Sequence, residues 1–296
     1  MLTSILTGDL LNKSDLKHSV RQFYDEVGWQ KMNGYAYQNT QFEDLRPVSN
    51  TYIHRCHLRV NRHLQPRGRF LLDAGSGPVQ YEEYLSYSKD YQYRVCLDIS
   101  FRALIEAREK LGDHGLYVHA DISHLPFKVD VFDGIVSLHA LHHLPIDDQI
   151  ASYLEFQRTM KHGVSAVVVN GWKQSRFMRK FLRPILLMER LLNIRKNLSD
   201  LPTSCGDVTQ INPRIAETPE RTFVDELDAE RLKFLLKGKC NFEIRVWRSV
   251  NVRFLRVLIH TWLGGRIWLQ LIYWLEEINP HYFGEQGAYP LVVIRK

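Results

Sequence analysis

An α/β fold, a largely parallel sheet with helices on both faces, is what this 296-residue sequence predicts. Three observations lead there. From about residue 69 onward, short apolar runs alternate with helix-like stretches, as consecutive β–α units do. The runs are nearly continuous in apolar residues, VSAVVVN (164–170) above all, as strands buried on both sides require. LLDAGSGPVQY (71–81) then carries one such run through a Gly-x-Gly turn into the next helical pattern.

Taken in order, residues 1–68 read as a mostly helical extension, with VRQFYDEVGW and CHLRVNRHL as its helical cores. Strands are expected at 69–74, 93–99, 116–120, 131–138, 164–170, 242–250 and 289–295. Helices are expected over 79–88, 101–111, 147–161 and 224–236, the first opening with Pro78, whose missing N–H is not needed in a first turn. The unit 69–296 carries two insertions. One, at about 171–223, holds a basic amphipathic helix and a polar stretch rich in turn formers; the other, at about 251–288, is a Trp-rich helical piece between the last two strands. Insertions after strand C-termini are where α/β proteins place substrate specificity.

Composition narrows the class. With 24% charged and 11% aromatic residues the chain is neither disordered nor low-complexity. Cys56, Cys96, Cys205 and Cys240 stand far apart without a CxxC pair, which argues against a disulfide scaffold or a structural metal and for a reducing, cytoplasmic setting. The N-terminal MLTSILTGDLLNKSD lacks the basic region of a secretory signal. No apolar run reaches 18 residues; Phe254 to Leu275 is interrupted by Arg256, His260 and Arg266 and reads as an interfacial or buried helix. The net charge of +6 is local: residues 173–196 hold eight basic side chains against Glu189 alone. Peripheral membrane contact through 173–196 and 251–275 is therefore expected rather than nucleic-acid binding.

The chemistry concentrates at strand ends. Gly75 and Gly77 permit a tight turn and close backbone approach by a ligand. Gln80 stands where a dinucleotide fingerprint needs its third glycine, which disfavours nicotinamide or flavin. Asp98, at the end of the second strand, can accept from both hydroxyls of a ribose; Asp121, at the end of the third, can accept from an exocyclic amine.

With these residues in place, LLDAGSGP, CLDIS followed by ALIEAREK, ADISHLPF and FDGIVSLHALHHLP resemble the class I S-adenosylmethionine-dependent methyltransferases, in their small-molecule and lipid branch similar to quinone-biosynthesis methyltransferases. The resemblance covers about 69–170. It implies a Rossmann-like seven-stranded sheet whose last strand, PLVVIRK, is antiparallel, and S-adenosylmethionine as cofactor. It further implies that Asp73, Gly75, Gly77 and Ser137 lie by the methionine part, Asp98 holds the ribose, Ile99 packs on adenine, and Asp121 with the Ile122 amide reads the adenine edge. FYDEVGW resembles the lid helix of many relatives, which makes Tyr24 a cofactor contact. His139 and His142 are the candidate bases for a hydroxyl acceptor, although phenols and carboxylates need little base. Where methyltransferases of amino groups on bases or glutamine carry Asn/Asp-Pro-Pro-aromatic after the fourth strand, this chain reads SLHA; NPHY (279–282) falls elsewhere and reads as a turn. The expected activity is O-methylation of a small or lipophilic acceptor in a biosynthetic pathway. C-methylation of a quinone-like or lipid acceptor, and a non-catalytic RNA- or partner-binding platform with the same fold, are the alternatives.

Overall fold

The structure, a computed structural model, describes residues 15–32, 36–37, 43–180, 183 and 222–296. Most of the first insertion, its basic stretch beyond Lys180 (Arg183 apart) and Cys205 included, lies outside the described residues, as do residues 1–14.

Among the described residues a seven-stranded sheet forms from β1 (Gly68–Ala74), β2 (Tyr91–Asp98), β3 (Gly115–His119), β4 (Gly134–Leu138), β5 (Ser165–Val169), β6 (Asn241–Arg248) and β7 (Tyr289–Arg295). Their spatial order is β3-β2-β1-β4-β5-β7-β6. Strands β1 to β5 pair in parallel, while β7 runs antiparallel to both β5 and β6. This is the class I arrangement that the resemblance implies, with PLVVIR as the reversed strand. One consequence positions the site: the start of β7 and the end of β6 lie at the same edge as the C-termini of β1 and β4. Arg248 is thereby in register with Tyr289.

The apolar runs fold as read. Ala166 to Val169 in β5 and Leu291 to Ile294 in β7 are fully or almost fully buried, because helices cover both faces. On one face lie α3 (Phe101–Leu111) and residues 48–60, which contain α2 (Asn50–His57); their apolar side chains join Leu71, Val136 and Val167 in one core. On the other, α4 (Ile146–Thr159) and α5 (Ala229–Leu236) pack on Leu72, Ile135 and Val168. The extension begins with α1 (15–23), prolonged by a π-turn over Tyr24–Gly28.

Four local expectations are corrected. The helix expected from Val79 starts only at Glu82, because Val79 has φ 49° and cannot continue a right-handed turn; Pro78 sits in the loop. Residues before Ala229 are not helical; Asp228 accepts from the Arg231 N–H and caps α5 there. The stretch 254–275 is two helices, α6 (Val252–Leu258) and α7 (Gly265–Ile278), separated by a 3₁₀ turn and by Gly264 at φ 68°. NPHY is a helix start rather than a turn: Asn279 accepts from the Tyr282 N–H and Pro280 occupies the first position of α8 (Pro280–Gln286). Cys56, Cys96 and Cys240 are free thiols.

Candidate active site

The turn after β1 carries the geometry that its glycines permit. Gly75 and Gly77 adopt φ 72° and 53°, and a Cβ on Gly75 would stand 2.3 Å from Ala140 Cβ. The loop is held from below. Asp73 is buried and its Oδ2 accepts from Arg94 Nε at 3.0 Å and from Nη2, while Nη1 of the same guanidinium donates to Tyr84 O. Asp73, expected beside the methionine part of the cofactor, is thus committed to a buried ion pair that pins the loop to β2.

Asp98 occupies the other wall. Its Oδ2 accepts from the Gly77 N–H and its Oδ1 from the Ser100 N–H, both at 2.8 Å. Burial pushes its carboxyl up to about 6 despite those two donors. A carboxylate that is buried, bonded to the glycine loop and lacking a cationic partner among the described residues fits a ligand offering further O–H donors, as a ribose does. Ile99, beside it, is half-buried, and its carbonyl accepts from His119 Nε2. Ile122 borders Gly75 and Ala140. Asp121 is less free than expected: its Oδ1 accepts from Ser123 N–H, and its Oδ2 meets Lys17 Nζ at 2.6 Å. Lys17 also reaches Asp148 at 2.5 Å. Ser137, at the end of β4, is wholly buried and its Oγ has no hydrogen-bond partner among the described residues, an orphaned polar atom beside the glycine loop.

The extension closes over these elements. Tyr24 stacks on Trp29 at 5.2 Å and meets Phe23 edge-on, so its aromatic contacts and its place in the site coincide. Its hydroxyl lies 2.7 Å from His143 Nε2, and burial, then the Asp98 charge, push the phenol above its ordinary range. Asp25 accepts from Ser100 Oγ at 2.6 Å. A Cβ on Gly77 would meet the Trp29 ring at 2.9 Å. Lid, glycine loop, Asp98 and Asp121 therefore form one body. Gly75, Gly77, Asp98, Ile122, Ser137 and Tyr24 lie around one loop, and its buried carboxylate and orphaned hydroxyl fit S-adenosylmethionine.

Beyond β4, His139 takes a left-handed φ of 55°, and its N–H donates to Val169 O at 2.7 Å. Its ring meets Trp247 at 5.0 Å, Tyr289 at 5.7 Å and His142 at 6.3 Å. Burial and the Arg248 charge lower its imidazole to about 3. Burial and the neighbouring His143 and His139 hold His142 well below its ordinary value, and burial takes His143 to about 4. In all three imidazoles burial is the first cause of the lowering.

Sequence reading missed Lys17, Trp29, Arg94 and the pair Trp247–Arg248. A charged residue inside an otherwise apolar strand, Arg94 in YRVCLDI and Arg248 in FEIRVWRSV, was the available signal.

The comparisons with known proteins concern the domain and its fold. A family profile described as a methyltransferase domain matches residues 72–168. No curated protein matches the chain in sequence. Among solved structures, a SAM-dependent methyltransferase of Leishmania major is 13% identical, with 53% of this chain and 62% of that one covered and a TM-score of 0.41. Phosphoethanolamine N-methyltransferase 1 of Haemonchus contortus, solved with phosphoethanolamine and S-adenosylhomocysteine, is 10% identical over 96% of this chain and 50% of its own, with a TM-score of 0.54. DhpI, solved with SAM and HEP, is 14% identical over 95% of this chain and 98% of its own, at 0.53. The chain thus spans 62% of the first relative and half of the second. At these identities the last two likenesses establish the fold.

Proposed function

We propose that this chain is a class I S-adenosylmethionine-dependent methyltransferase, a reading supported by the matching methyltransferase domain and by the fold, and that it methylates a small or lipophilic acceptor at an oxygen that is already acidic, a carboxylate or a phenol, in a biosynthetic pathway. Bound S-adenosylmethionine supplies an electrophilic methyl group whose leaving group is a neutral thioether. In this reading Asp98 holds the ribose, the Gly75–Gly77 backbone and Ser137 Oγ border the methionine part, and Ile99 and Ile122 flank the adenine. Asp121, shared with Lys17, faces the adenine amine. Tyr24 and Trp29 exclude water from above, while Asp73 acts through Arg94 to position the loop.

What supports the oxygen reading is the packing of His139, His142 and His143 on one another and against Trp247 and Tyr289, a burial that lowers all three imidazoles. A site with such weak bases favours a nucleophile that has already lost its proton, so the histidines orient rather than deprotonate. Assaying S-adenosylhomocysteine release against panels of carboxylates, phenols, quinones and amines tests it, with mass spectrometry of the product. With S-adenosylmethionine saturating, the rate on a carboxylate is expected to stay flat between pH 6 and 8, and His139→Gln is expected to retain activity within about tenfold. A rate that rises across an apparent pKa near 6.5 and collapses in His139→Gln would restore His139 as the base. A methyl found on carbon would favour the quinone-type alternative.

The reading extends to where the acceptor comes from. Trp262, Ile267, Trp268, Trp274 and Ile278 on and before α7 expose more than half of their surface, while Leu269 and Tyr273 on the opposite face are buried. Tryptophans among aliphatic side chains, with Arg266 alongside, suit a lipid interface at which a lipophilic acceptor is picked up. Among the described residues no helix is long and apolar enough to cross a membrane. Cosedimentation with anionic phosphatidylglycerol vesicles is expected to fall severalfold in Trp262→Ser/Trp268→Ser/Trp274→Ser. Unchanged binding by that variant would refute the membrane contact.

A further inference from the structure

At the edge where β6 ends and β7 begins lies a buried polar cluster that the cofactor residues do not include. Trp247 and Arg248 close β6 and are each about 1% exposed. The Trp247 indole lies between two imidazoles: it stacks on His57 at 5.3 Å with an interplanar angle of 10°, and meets His139 edge-on at 5.0 Å. The Arg248 guanidinium stands 4.5 Å above the Tyr289 ring, which itself lies 5.7 Å from His139. The cluster therefore touches His139, whose chain neighbour Ala140 packs on Gly75. It borders the cofactor site without belonging to it.

Among the described residues three buried nitrogens of the cluster have no hydrogen-bond partner: His57 Nε2, which lies 4.0 Å from Glu43 Oε2, Trp247 Nε1 and Arg248 Nε. The last two can only donate, and buried N–H groups in native proteins are nearly always paired, so two on adjacent residues mark an acceptor that the described residues do not provide. The charges around them define its class. Arg248 Nη1 is already bonded to Glu43, whose carboxyl is held at about 2, against burial, by Arg248 and His57. Glu83 faces His57 at 3.5 Å. Two carboxylates already answer the guanidinium and the imidazole, so a dianionic phosphate would be repelled. A carboxylate brings one charge spread over two oxygens in a plane, and the two remaining N–H groups suit it. The rings of Trp247, His57, His139 and Tyr289 gathered beside these donors suit a flat apolar body as neighbour.

Resting on the acidic-oxygen reading above, we infer that Trp247 Nε1–H and Arg248 Nε–H are specificity-determining donors for a carboxylate carried by a planar, aromatic-bodied acceptor. Glu43 is a positioning residue that fixes the guanidinium.

Calorimetric titration of 2-naphthoate and of 2-naphthamide into the protein saturated with S-adenosylhomocysteine separates charge from shape. Naphthoate is expected to bind at least about tenfold more tightly than naphthamide. Trp247→Phe keeps the ring and deletes the donor. Glu43→Gln/Arg248→Met removes the buried pair together, leaving no lone charge to unfold the chain. Each is expected to weaken naphthoate by about tenfold or more, with S-adenosylhomocysteine affinity within about twofold of the parent. If S-adenosylhomocysteine binds but naphthoate does not, or binds no better than the amide, or binds both variants as it does the parent, the inference is overturned and the methyltransferase assignment stands. Failure of the parent protein to bind S-adenosylhomocysteine would overturn both.

Discussion

Asp98→Ala is expected to weaken S-adenosylmethionine binding by about 100-fold or more, because hydrogen bonds to a buried carboxylate are each worth about 1.5–3 kcal/mol and a ribose offers two hydroxyls. The same change releases the Gly77 and Ser100 amides, which now donate to this carboxylate at 2.8 Å, so the glycine loop loosens as the ligand contact is lost. Binding should also depend on pH with a sign set by the carboxyl near 6. The ionised form is the one that accepts from the ribose, so affinity is level above about pH 6.5 and falls about tenfold for each pH unit below 6. For the fold itself the sign is opposite. A carboxyl raised in the native state favours folding while it is protonated, below its unfolded value of about 3.9, and that contribution disappears as pH rises through about 6. Bound cofactor compensates for it. Calorimetry between pH 5 and 8 on the parent and on Asp98→Ala measures both effects. A pH-independent Kd, or parent-like binding by the variant, would remove Asp98 from the cofactor site.

The Asp73–Arg94 pair should dominate stability in the same way that Asp98 dominates binding. Arg94 is wholly buried and Asp73 nearly so, and the guanidinium is bonded to the carboxylate and to Tyr84 O. Arg94→Leu strands a carboxylate in the interior and is expected to cost about 3–5 kcal/mol, a large share of the stability of a domain of this size. Asp73→Leu/Arg94→Met removes both charges and is expected to recover most of that loss. Urea unfolding monitored by circular dichroism provides the comparison. A double variant as unstable as the single one would mean that the pair's hydrogen bonds, rather than its charge balance, hold the loop.

Much of the site was legible because its signals are short-range. Gly75 and Gly77 lie two residues apart, and each aspartate sits at the end of its own strand, so motif and element together placed Asp98 beside the loop. Asp73 shows the limit of that reasoning. Its position in the motif was clear, but its partner is on the neighbouring strand and only the β1–β2 register brings Arg94 to it. Asp121 is similar: nothing local ties it to Lys17, which α1 carries across the sheet edge. Helix starts were misplaced where one backbone angle or one cap decided the matter, as at Val79 and Asn279. The tryptophan-rich stretch before the last strand was recognised as helical and interfacial in character, yet its division at Gly264 and the exposure of one face depended on how α7 packs.

By itself the sequence determined the order of strands and helices, the glycine turn and the carboxylates at the strand ends, because these are set by local periodicity and by contacts between near neighbours in the chain. Only the tertiary structure decided what faces His139. Reversal of β7 brings Tyr289, Trp247 and Arg248 to the active edge from more than 100 residues away, and burial among those neighbours, with the charge of Arg248, lowers the imidazole well below its ordinary range.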